Sequence, residues 1–271
     1  MAATTRFLVA GDTGGDLARL FARVGAVNAK HGPFAFLLCV GDFLGAADAS
    51  AAALAPYLSG DAAVPLPTYV LASRPGEPDP ALAAAGPGGE LAPQLFYLGS
   101  AGVAELSGLR AKHSPTNYWD TNAVWVDAGR EVGLEEVAEL AVKLRPRYHF
   151  CGGEGAFWQR PPYRLDARSH ACRMVGLSRV QEDKKQTWLK AFGMAALGGA
   201  VPAQPEGTTD CPYPYAALTA GGGGGGGERR GERAAKRLRE EWAQLDRRAV
   251  LVTSVGDEAY LTIAKGILMN D

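Results

Sequence analysis

Two segments near the start of the chain repeat one plan, and together they constrain the fold more than any other feature. RFLVA (residues 6–10) and FAFLLCV (34–40) are unbroken apolar runs, each followed at once by Gly-Asp, at Gly11-Asp12 and Gly41-Asp42. A strand that is apolar on both faces needs cover on both, which is the condition of parallel sheets flanked by helices. The residues between agree. Leu17, Leu20, Phe21, Val24 and Val27 follow the spacing of an amphipathic helix that starts near Asp16. An alanine-rich, helix-prone stretch follows Asp42, and a third apolar strand, PTYVLA (67–72), ends in the loop SRPGEPDP. Strand–helix–strand alternation predicts an α/β fold with crossover connections.

Further along, LFYLGS (95–100) and GVAEL (102–106) read as neighbouring strands, and GLEEVAELAVKL (133–144) as a helix. ACRMVGLSRV (171–180) and TWLKAFGMAAL (187–197) read as strands returning to the sheet edge. From about residue 199 the chain turns proline-rich, and Gly221–Gly227 is an unbroken glycine run, a linker by composition. ERRGERAAKRLREEWAQLDRR (228–248) is a charged segment open to two readings, a solvated helix or arm and a nucleic-acid arm; its acids balance its bases, which favours the first. Two more strands close the chain. The expected division is a main domain over 1–215, a linker with a charged helix over 216–247, and the start of a second unit over 248–271. Residues 228–271 are expected to stay outside the main core.

A chain of 271 residues can bury a sizeable core. Its formal net charge of −1 supplies no global field toward nucleic acid, so any such contact must be a local patch. No apolar run reaches the ~18 residues that span a bilayer, and MAATTRFLVAGD reads as a first strand, not a signal peptide. Cys39, Cys151, Cys172 and Cys211 form no CxxC pair, which points to reduced thiols and a reducing compartment.

Three groups of residues could carry chemistry. Gly11, Gly14 and Gly15 suit a tight strand–helix turn, or a phosphate cradle that lacks the lysine of a P-loop. Asp12 and Asp42 at strand ends suit helix caps or a weak magnesium site. The strongest signal is LRPRYHFCGGEGAFWQRPPYR (144–164), where Arg145, Arg147, Arg160 and Arg164 interleave with Tyr148, Phe157, Trp158 and Tyr163. Guanidiniums pair with phosphates and rings stack on unpaired bases, the means by which single-stranded RNA is held. The same pattern also suits a sheet-edge strand with arginine–ring packing. Side chains one residue apart on a strand point to opposite faces. Arg147, His149, Arg160, Tyr163 and Arg164 are therefore the co-facing candidates for RNA, with Tyr148 packed inward; His149 as a lone imidazole suits a structural role as well as a functional one.

These motifs together resemble the N-terminal domain of the CwfJ family, splicing-associated relatives of the RNA lariat debranching enzyme, on a calcineurin-like metallophosphoesterase scaffold of layered sheet with flanking helices. The match lies in VAGDTGG, LLCVGDFLG, Arg145-Pro-Arg-Tyr-His-Phe150, Glu154, Arg160-Pro-Pro-Tyr-Arg164 and Pro212-Tyr213-Pro214-Tyr215. Such scaffolds clamp phosphate between two cations about 3.5–4 Å apart, held by carboxylates and imidazoles. Asp12 and Asp42 match the carboxylates, but the family's histidine positions hold Gly14, Ser73-Arg74, Gly153 and Gly155. The resemblance thus implies vestigial metal positions at Asp12 and Asp42, no metal or other cofactor, and no catalysis. It further implies a nuclear scaffold in late spliceosome and lariat-intron turnover that assists the debranching enzyme, with spliceosomal proteins and single-stranded RNA as partners and no membrane. The alternative is an active RNA phosphodiesterase recruiting His31, His113 or His149 beside the two aspartates. Between Leu109 and Val137 the family runs through a strand, a helix and a further strand, and this chain is too short there for all three. Residues 248–271 resemble the opening of the family's histidine-triad-like domain.

Overall fold

The computed structural model describes residues 4–71, 80–99, 102–114, 123–124, 131–132, 141–142, 144–153, 155–166, 169–181, 186–195, 203–211 and 260–264. Arg74, residues 133–140 and 143 of the helix expected over 133–144, Pro212–Tyr215 and the linker over 216–247 lie outside them. The chain runs β1 (Thr4–Ala10), α1 (Leu17–His31), β2 (Leu37–Cys39), α2 (Ala47–Ser59), β3 (Thr68–Val70), α3 (Pro80–Ala85), β4 (Glu90–Ala92) and β5 (Leu95–Tyr97). A hairpin of β6 (Gly102–Leu106) and β7 (Leu109–Ser114) follows, then a ribbon of β8 (Ala123–Val124) and β9 (Glu131–Val132). The second half holds β10 (Tyr148–Cys151), β11 (Trp158–Gln159), β12 (Tyr163–Arg164), β13 (Arg173–Gly176), β14 (Leu189–Ala195), β15 (Thr209–Asp210) and β16 (Tyr260–Ala264).

Two six-stranded sheets share one plan. In the first, of order β14-β1-β2-β3-β5-β4, the four inner strands are parallel and both edges antiparallel. In the second, of order β11-β13-β10-β16-β7-β6, the same holds. The mixed α/β class expected from the Gly-Asp repeats is what forms.

Strand alternation explains the layering. On β1, Leu8 and Ala10 join Leu17, Leu20, Phe21 and Val24 of α1 and Leu54 and Tyr57 of α2 in one core. Phe7 and Val9 face the other way, toward Phe150, Val175 and Leu177 of the second sheet. The rings of Phe7 and Phe36 stack at 5.0 Å, and Phe150 meets Phe192 edge-on at 4.6 Å. Phe7 is fully buried at the centre of this inter-sheet layer. Phe7→Ala should cost about 3–5 kcal/mol in a urea titration, the range for a truncated core ring; a loss under 1 kcal/mol would show that the two sheets are not packed through it.

Three expectations are corrected. LFYLGS and GVAEL are not neighbours: β5 completes the first sheet and β6 opens the second, so the chain changes sheets between them. ACRMVGLSRV gives β13, an inner strand of the second sheet, while TWLKAFGMAAL does lie at an edge as β14. Residues 260–264, assigned from sequence to a separate unit over 248–271, form an interior strand, paired in parallel with β7 along Tyr260↔Arg110 to Ala264↔Ser114 and with β10 along Tyr148↔Leu261. Among the described residues β16 fills the slot between β7 and β10 and pairs backbone groups that both strands would otherwise leave open there. Among the described residues no helix is long and apolar enough to cross a membrane.

Candidate functional site

The loops at the C-terminal ends of β1, β2, β10 and β13 meet at one end of the two sheets, and Asp12 ties them together. Its side chain is buried, 2% exposed. One carboxylate oxygen accepts the Asp42 N–H at 2.7 Å and the other the Gly153 N–H at 2.8 Å. Its backbone carbonyl accepts the Val180 N–H at 2.7 Å. The Thr13 and Gly14 N–H groups both donate to the Asp42 carbonyl, at 2.8 and 3.1 Å, and the Thr13 hydroxyl donates to the Phe43 carbonyl. One residue therefore joins three other loops that sequence places far apart, two through its carboxylate and one through its backbone carbonyl.

The glycines here make contact possible. A Cβ on Gly41, whose φ is +131°, would fall 2.2 Å from an Asp12 carboxylate oxygen, and one on Gly152 would fall 2.1 Å from the Val40 carbonyl. No side chain fits between backbones that close. Burial pushes the Asp12 carboxyl up to about 6, and the neighbouring Asp42 charge adds to this; the two backbone N–H groups and Arg179 oppose it.

Neither aspartate caps a helix. Asp16 does so for α1, accepting the Arg19 N–H at 3.1 Å, and α2 has Ala46 at its N-cap, with no side-chain cap. Asp42 is half-buried and accepts the Gly45 N–H at 3.0 Å, closing its own loop.

The donor set does not fit a dinuclear metal centre. Gly153, at one of the resembled histidine positions, offers no imidazole and gives its N–H to one of the two Asp12 carboxylate oxygens. His31 lies at the far end of the 15-residue α1, roughly 20 Å along its axis from Asp16. Among the described residues, no three His, Cys, Asp or Glu side chains are grouped to hold a metal ion.

The five RNA candidates divide. Register puts His149 opposite Met174 and Arg160 next to Met174, so the outer face of the second sheet does bring His149 and Arg160 together. That face is covered. His149 is 1% and Tyr163 1% exposed, and Tyr163 packs with Ala141, Val142 and Cys172. Burial first, then the Arg160 charge, lowers the His149 imidazole to about 4, and neither ring nitrogen has a hydrogen-bond partner among the described residues. Arg160 is buried too, its guanidinium 5.5 Å from the Trp158 ring centre. The expectation that His149, Arg160 and Tyr163 present themselves to RNA is thus corrected, because all three side chains are buried. Tyr148 does pack inward, stacked on Phe150 at 5.6 Å. Arg164 pairs with Asp210 at 3.2 Å, and Arg147 donates to the Ala195 carbonyl.

Sequence reading missed His170 and Arg173. Both adjoin Arg147: the Arg173 N–H donates to its carbonyl at 3.0 Å, and Arg147 is among the charges that bear on His170. Only the pairing of β10 with β13 brings them there, and no local signal marks it.

The class these observations define is a two-sheet α/β sandwich whose strand-end loops are knotted by a buried aspartate and close-packed glycines. No family model matches the chain. It is similar to zinc finger CCCH domain-containing protein 59 of Oryza sativa subsp. japonica, 34% identical over 267 residues covering 77% of this chain and 44% of that protein. It is similar as well to CWF19-like protein 1 of Homo sapiens, at 28% with 77% and 48% covered, and to the CWF19-like protein 1 homolog of Caenorhabditis elegans, at 26% with 77% and 48% covered. These likenesses support the Cwf19/CwfJ family expected from the motifs. The chain spans under half the length of these relatives.

Proposed function

We propose that this chain is a splicing-associated protein of the CwfJ family whose phosphoesterase-like domain is a catalytically silent scaffold. It acts in late spliceosome and lariat-intron turnover in the nucleus, binding RNA and protein partners and assisting the debranching enzyme. The observation that carries the silent reading is the Asp12 carboxylate: buried, with both oxygens engaged by backbone N–H groups, it holds loops together. A carboxylate occupied in that way, beside glycines at imidazole positions, is a poor ligand for a transition metal. The CWF19-like relatives support the splicing assignment.

The expected result is no stoichiometric manganese or zinc in the purified protein by elemental analysis, and no turnover of bis-para-nitrophenyl phosphate with either metal added. Bound metal together with activity abolished in Asp42→Asn would replace the scaffold with a working phosphodiesterase.

A further inference from the structure

Among the described residues, positive charge gathers where β10 and β13 begin, with Asp166 as the carboxylate beside it. Arg173 and Arg147 lie side by side, joined by the Arg173 N–H to Arg147 carbonyl bond at 3.0 Å. His170 Nε2 lies 2.8 Å from the Arg145 carbonyl, which fixes the imidazole beside the same strand entry. Arg145 itself turns outward through a left-handed backbone conformation, φ +49°. The charges of Arg145, Arg147 and Arg173 all bear on His170, and that of Arg173 bears on Arg147. Among the described residues the carboxylate seen in this group is Asp166, a loose 3.6 Å from Arg145 with half its side chain in water.

Each guanidinium is held by its stem or one donor and keeps others to offer. Arg147 is tethered through one nitrogen to the Ala195 carbonyl, and Arg173 lies over the Tyr148 ring, 5.5 Å from its centre. A guanidinium carries five N–H donors, so these anchors orient the groups without exhausting them. Arg145 and Arg147 lie two residues apart at the entry of one strand and Arg173 on the strand beside it, so the charges come from two adjacent segments. The Tyr148 ring is packed against Phe150, Phe192 and Arg173, and so cannot stack on a base.

We propose, building on the RNA-binding reading above, that Arg145, Arg147 and Arg173 around His170 form a phosphate-binding row for the backbone of single-stranded RNA, without base readout. This places the RNA contact at the strand entry, away from the buried His149, Arg160 and Tyr163.

The test is fluorescence-anisotropy binding of a labelled twelve-nucleotide uridine RNA to the full chain across a salt series, for the parent, Arg145→Ala/Arg173→Ala and Arg145→Lys/Arg173→Lys. Arg147 is left in place because its tether is structural. The alanine pair should weaken binding about tenfold or more at low salt and flatten the log K against log salt slope by about 1.4, two single-strand phosphate contacts. The lysine pair, which keeps the charge, should retain most of the affinity, and all three should share a thermal midpoint within a few degrees. Parent-like binding by the alanine pair would overturn the proposal and leave the RNA-binding reading to another surface. Equal losses in the alanine and lysine pairs would overturn it as a structural effect. No binding by the parent would overturn both; if the parent were then stabilised by inorganic phosphate and the alanine pair were not, the row would be a site for another anion.

Discussion

His149→Leu should leave the protein at least as stable as the parent at pH 7 and more stable than it in acid. A buried imidazole with neither nitrogen bonded among the described residues contributes burial and little else at neutral pH. Replacing it with an apolar side chain of similar size removes two unsatisfied polar atoms. Acid makes the difference visible. The imidazole titrates at about 4 in the folded chain against 6.5 when unfolded. The stability it supports is therefore present above pH 6.5 and lost as pH falls toward 4, by about 3 kcal/mol if the whole shift is realised. Asp12 works in the opposite sense. Its carboxyl titrates at about 6 when folded against 3.8 unfolded, so its contribution is fully present below 3.8 and lost as pH rises through 6, again about 3 kcal/mol. Between pH 4 and 6.5 the two largely offset each other in the parent.

Removing either one exposes the other. Relative to the parent, His149→Leu should gain stability between pH 6.5 and 4. Asp12→Asn should lose it, starting from a deficit of about 1–3 kcal/mol at pH 7, since an amide has one acceptor oxygen where two buried N–H groups need partners. Urea titrations of the three proteins at pH 4.5, 5.5, 6.5 and 7.5 read this directly. Variant-minus-parent differences that stay flat with pH would show that neither group is buried as described.

Thr262→Pro should have the second large effect. Thr262 pairs with His113 on one side and His149 on the other, at the centre of β16. Proline there removes a backbone donor and puts a ring into an inner parallel strand, a loss of about 3 kcal/mol or more. Hydrogen exchange should show faster exchange at residues 109–114 and 148–150 in the variant. A variant as stable as the parent, with those amides equally protected, would mean that Tyr260–Ala264 contributes nothing to the second sheet and that the division at residue 248 read from sequence holds.

Local patterns carried the first sheet. The apolar runs of β1, β2 and β3 are buried on both faces because helices cover one side and the second sheet the other, and a double-sided apolar run reports that without any knowledge of the partner. The second sheet was less legible. β16 lies far in sequence from the strands it joins, so no window of neighbouring residues contains the pairing. The same limit governed the site. Asp12 and Asp42 were visible as Gly-Asp pairs, but their role was not, because the groups that occupy the Asp12 oxygens are main-chain N–H groups that any residue could supply. For Arg147 and Tyr148 the two-residue period gave the inward side correctly. It could not tell that the opposite side is covered as well: His149, Arg160 and Tyr163 are buried, Tyr163 against Ala141 and Val142.

The position of β16 also sets an order of events for a chain made from one end. Ala111 must find Leu261, which is synthesised about 150 residues later. The first sheet can assemble once β14 has emerged, while β7 and β10 stand apart with open backbone edges until the last pairing arrives. Closing so long a loop to form a parallel ladder is slow, and an intermediate with two bare strand edges is the species most prone to join another chain. Completion of the second sheet should therefore wait on five residues, and conditions that protect the half-built sheet meanwhile, such as lower temperature during synthesis or a chaperone holding it, should raise the amount recovered folded.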